Sequence, residues 1–60
     1  MTTIIWQAEP YLQLSKFNSF VNLVVGDIVF DKQENTYKVV RRNFHLTNNC
    51  LEIQVKRETK

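Results

Sequence analysis

His45, Cys50 and Glu52 are the residues of this chain whose types suit nucleophilic chemistry. An imidazole can take a proton, a thiol attacks once deprotonated, and a carboxylate can orient the imidazole. They lie in FHLTNNCLEIQ, on two apolar-rich runs separated by Asn48-Asn49. Asn tolerates positive φ, so this pair suits a tight two-residue hairpin turn. In that register Thr47 faces Cys50, Leu46 faces Leu51, Phe44 faces Ile53 and Arg42 faces Val55. His45 then opposes Glu52, with Cys50 as its diagonal neighbour. One face carries Phe44, Leu46, Leu51, Ile53 and Val55; the other carries Asn43, His45, Cys50, Glu52, Gln54 and Lys56. The three reactive groups thus sit on a flat, solvated ribbon with no pocket and no oxyanion donors, and the chain is expected not to be an enzyme. One Cys and one His cannot supply a structural zinc site, which takes four ligands. Gly26 is the only glycine, so no glycine-rich phosphate loop exists. No catalytic residue, metal or cofactor is expected.

The elements that position these residues form a meander. DIVFDKQENTYKVV has a polar tip, Lys32-Gln33-Glu34-Asn35. With four loop residues, Phe30 faces Tyr37 and Ile28 faces Val39, all on one face. Residues 28–31, 36–46 and 51–56 are then three antiparallel strands with a long central one. That strand is apolar at odd positions 37 and 39 and at even positions 44 and 46. A bulge or sharp bend within residues 40–43 must reverse its phase, as a small barrel needs.

Upstream, TTIIWQA reads as a strand and YLQLS alternates weakly. Phe17, Phe20, Val21 and Val24 fall at helical spacing with Ser15 as an N-cap, which predicts a short helix or helical turn near 16–22. The fold class is therefore mostly β: a small SH3-like barrel, or a strongly bent antiparallel meander, with one short helix or helical turn. Sixty residues make one domain, 1–60.

Composition limits the partners. Eight Lys and Arg against six Asp and Glu give +2, less than nucleic-acid binders usually carry. The lone cysteine excludes an intrachain disulfide and suggests a reducing compartment. MTTIIWQAEPY has no basic n-region and no long apolar h-region, so no signal peptide is expected; no run of about 20 apolar residues occurs either, and a cytoplasmic protein without membrane contact is expected. Arg41, Arg42, Lys56 and Arg57 gather at the open end of the last hairpin. They suit an anion or an acidic partner, or else form a solvated basic edge that resists aggregation.

VVGDIVF followed by YKVVRR resembles the entry into small SH3-like β-barrel proteins, among them compact orphan proteins of bacteria and their phages. The resemblance covers residues 24–56. It implies the barrel, and by type it implies a phage-encoded inhibitor of a host protein, such as a defence enzyme, working in the host cytoplasm. Neither the aromatic groove of proline-peptide-binding SH3 domains nor the hairpin glycine of ribosomal KOW motifs is present.

The expected function is a non-catalytic protein-binding module. Trp6, Tyr11, Phe17 and Phe20 are its partner-binding residues, since aromatic groups dominate interface energetics. A homodimer covering the N-terminal aromatic residues is also expected, because a core this small is weak alone. The alternative is a small nucleic-acid-binding barrel, with the four cations on phosphates and Trp6 or Tyr37 stacked on a base.

Overall fold

The computed structural model describes residues 1–58. Its strands are β1 (Thr2–Gln7), β2 (Leu12–Phe17), β3 (Ile28–Phe30), β4 (Thr36–His45) and β5 (Cys50–Arg57). The run CLEIQV alternates polar with apolar residues and becomes the central strand. β5 is antiparallel to β4 and parallel to β1, and the sheet order is β2-β1-β5-β4-β3. The sheet curls into a small half-barrel with extents of 38 × 20 × 19 Å. The fold is mostly β, as the sequence leads one to expect.

The core lies inside the curl. Leu51, Ile53 and Val55 of β5 are buried, and β1 lays Ile5 and the side chain of Thr3 beside them; β4 adds Tyr37 and Val39. Leu14, Leu23 and Val29 pack against this cluster. The phase break falls at Val40. Val39 pairs with Val55 and Arg41 with Gln54, leaving Val40 as the extra residue. The bulge turns Val39 inward while the strand beyond it runs on in shifted phase.

Both hairpins differ from the expected register, in different ways. In the second, His45 pairs with Cys50 and Phe44 with Leu51. The loop is the four residues Leu46–Asn49, and only Asn49 has positive φ, at 50°. That slip is two residues, so each side chain keeps its face. Leu46, however, leaves the ladder and is 85% exposed, and Phe44 lies at the rim, 44% exposed. In the first hairpin Val29, not Phe30, pairs with Tyr37. That slip is one residue and reverses the strand. Val29 faces the core, whereas Ile28 and Phe30 are exposed.

No helix forms among the described residues. Phe17 ends β2, paired with Thr3, and residues 18–24 are irregular. The buried Thr3 hydroxyl donates to Ser19 O at 2.7 Å and accepts from Val21 N at 3.1 Å. That pair of bonds satisfies backbone groups a helical turn would otherwise use. Leu23 reaches the core, while Phe20 and Val24 stay half exposed.

A domain of 60 residues has about 3–9 kcal/mol of stability. Ile53→Ala should remove about 2–5 kcal/mol, most of it. Phe44→Ala, at a half-exposed site, should cost about 1–1.5 kcal/mol. Urea unfolding of both variants checks this; equal losses would contradict the observed pairing.

Candidate binding groove at the open seam

Asp31 builds one wall of the groove. It pairs with Asn35 across the tip of the β3–β4 hairpin, with Asp31 N donating to Asn35 O at 3.1 Å. Three residues, Lys32–Glu34, form the loop, and Glu34 takes positive φ at 63°. This is the three-residue hairpin loop with a left-handed last residue. The Asp31 carboxylate holds it together. Oδ1 accepts from the backbone N–H groups of Gln33 and Asn35, and Oδ2 accepts from Asn35 Nδ2 and Tyr37 Oη, at 2.9–3.0 Å. The Asn35 side-chain bond above all, with the backbone and Tyr37 bonds behind it, holds the Asp31 pKa below its usual range. Burial, then the bond to Asp31, raises that of Tyr37.

β2 and β3 are the two edges of the sheet. The curl turns them toward each other, yet no Cα of β2 comes within 8 Å of a Cα of β3. Hydrogen-bonded strands lie about 4.8 Å apart, so the seam is open. It leads into a groove of about 480 Å³ whose floor and walls include Ile5, Leu14, Phe17, Val29, Phe30 and Tyr37. Asp31, Lys32, Gln33 and Ser15 complete the lining. A bulge between Ile5 and Trp6 in the β1–β2 pairing leaves Leu14 without a partner, and its side chain packs inward.

The four expected partner-binding aromatic residues do not form one patch. Phe17 lines the groove. Trp6 pairs with Gln54 on the outer face of the sheet and stacks on Tyr11, with ring centroids 4.7 Å apart and planes 11° apart. Phe20 lies in the 18–24 segment. Leu14, Val29, Phe30 and Asp31 complete the groove and were not singled out by sequence. The signal for Val29 and Phe30 was the hairpin register, which hung on the role of Asp31.

The four expected cations are likewise divided. Arg41 pairs with Gln54 and Lys56 with Lys38, on the outer face; Arg42 pairs with Ile53 and Arg57 with Tyr37, on the inner one. Arg57 Nη2 donates to Asn35 Oδ1 at 2.6 Å. His45 directly opposes Cys50, and its Nε2 lies 3.1 Å from Glu52 Oε1. This outer-face group is open to solvent, with His45 exposed. Among the described residues no group of His, Cys, Asp and Glu is arranged to hold a metal ion.

No family model, curated protein or solved structure matches the chain.

Three substitutions test this geometry. A carboxylate whose folded pKa is depressed stabilises the fold above its unfolded pKa, about 3.9, and that contribution is lost as pH falls through the folded value. Asp31→Asn should melt lower at neutral pH and lose less on acidification below about pH 4 than the parent does. Parallel melting curves against pH would remove Asp31 from its place at the loop. Among the described residues the buried Trp6 Nε1 meets no hydrogen-bond acceptor, and an unsatisfied donor costs stability. Trp6→Phe keeps an aromatic ring against Tyr11 and should melt at or above the parent temperature, whereas Trp6→Ala should melt lower.

Proposed function

We propose that this chain is a non-catalytic protein-binding module whose binding surface is the open groove between β2 and β3. The observation that carries this reading is the meeting of two unpaired strand edges across an apolar groove. An edge strand offers a row of free N–H and C=O groups, and an apolar groove beside it offers side-chain pockets; together these are the parts of peptide recognition by strand addition. Phe30, 68% exposed, and Phe17, 39% exposed, supply aromatic contact area of the kind that anchors interfaces. The partner is a cellular protein, or a host protein if the gene is viral, and the module works in the cytoplasm. Among the described residues no helix is long and apolar enough to cross a membrane. Inhibition of a host defence protein is the sharper form of this proposal and rests on the resemblance to small SH3-like barrel proteins of bacteria and phages.

A second reading, nucleic-acid binding, draws on one observation. Lys38 and Lys56 oppose each other directly on the outer face, with Arg41 on that same face. Like charges so placed destabilise a sheet and are relieved by an anion. The Trp6–Tyr11 stack on that face adds an aromatic platform.

Affinity capture from the source cell separates the two. The protein-binding reading expects a partner retained by the parent and by Lys56→Glu but lost with Phe30→Glu. Retention of nucleic acid that falls steeply with salt and disappears in Lys56→Glu would overturn it in favour of the second reading.

A further inference from the structure

Strand direction and charge restrict what the groove can take. β1 is parallel to β5, β2 is antiparallel to β1, β4 is antiparallel to β5 and β3 is antiparallel to β4. The two edges therefore run in opposite directions. Any strand laid between them is antiparallel to one and parallel to the other. β2 is six residues long and β3 is three, and antiparallel pairing is slightly the stronger per residue. The added strand runs antiparallel to β2 and parallel to β3. One strand between two others sets them about 9.6 Å apart, in keeping with edges that nowhere approach within 8 Å.

Its side chains follow from the lining. Alternate residues point inward, against Leu14, Phe17 and Val29, and must be apolar. The intervening residues point outward beside Lys16 of β2 and near Lys32 of the loop. Neither lysine has an ion-pair partner among the described residues. The one carboxylate in the lining, Asp31, is committed to four donors. Lys16 and Lys32 thus place cations beside the seam, with Glu34 the one carboxylate of the same loop, and residues complementary to the two lysines are acidic.

We propose that the groove takes an extended segment of a partner protein, apolar at alternate residues and acidic between them, as a sixth strand that closes the half-barrel. This rests on the reading of the groove as a protein-binding surface.

The probes are two short synthetic peptides, one alternating valine with glutamate and the other valine with lysine, titrated into the full chain by calorimetry. Amide exchange is followed by NMR. The glutamate peptide should bind more tightly by about fivefold, the scale of an exposed ion pair, and Lys16→Glu should cancel or reverse that preference. Amides on both β2 and β3 should gain protection. Phe30→Glu, at an exposed site that does not threaten folding, should weaken binding of the glutamate peptide. Protection on one edge alone would overturn the sixth strand while leaving protein binding at the seam intact. Equal affinity for both peptides would overturn the acidic assignment. No binding of either peptide, with a cellular partner still captured in a Phe30-dependent way, would overturn the extended segment but not the module. Doubled mass by light scattering, abolished by Phe30→Glu, would put a second copy in the groove and overturn the partner segment.

Discussion

Everything in this fold hangs on the pairing of β5 with two neighbours at once. Its apolar residues Leu51, Ile53 and Val55 are buried because β1 lies along one side and β4 along the other. A two-stranded hairpin is marginal in water, whereas three strands with a shared apolar face can hold. β5 therefore gains a second ladder only if the N-terminal strand returns to it. The parallel β1–β5 pair is this long-range contact, and it joins the two ends of the sequence. With both sides of β5 used, β2 and β3 are left as edges, and the open seam follows from the strand order.

The registers show where sequence reasoning held and where it could not. Alternation in CLEIQV, and the odd-to-even switch between Val39 and Phe44, fixed the meander and the place of the bulge. The hairpin slips differ in consequence because a strand repeats every two residues. Moving the β4–β5 pairing by two left Phe44 and Ile53 on one face and changed only their depth. Moving the β3–β4 pairing by one exchanged Val29 for Ile28 and Phe30. That error traces to Asp31, the last residue of the expected strand, whose carboxylate gathers four donors and closes a loop one residue shorter than the expected tip. Counting loop residues cannot reveal such a site, because three-residue and four-residue loops are both common.

The misplaced helix has a related cause. The spacing of Phe17, Phe20, Val21 and Val24 is helical, but spacing records only which side chains would share a face if a helix formed. The Thr3 hydroxyl, brought in by the β1–β2 ladder, takes the backbone of Ser19 and Val21 instead. A residue far away in sequence decided local structure, and only pairing of β1 with both β5 and β2 makes that residue available. The candidate groove was hidden for the same reason. Its walls come from β1, β2, β3 and β4, and no single stretch of sequence carries it.

Open edges are hazards as well as opportunities, since any free strand of a second molecule can pair with them. This chain limits the hazard at each edge by a different device. β3 has only three residues, too few to template a long ladder. β2 is longer, but its pairing with β1 is interrupted opposite Leu14, and a bulge spoils the flat, regular row of backbone groups that indiscriminate pairing needs. Lys16 places a cation on the exposed side of the same strand, repelling its own copy edge to edge. None of these devices blocks a segment that brings apolar residues for Leu14 and Val29 and a negative charge for Lys16. In the proposed binding mode, the features that discourage general aggregation would also give the seam its selectivity, because specificity arises from penalties on the wrong partner as much as from contacts with the right one.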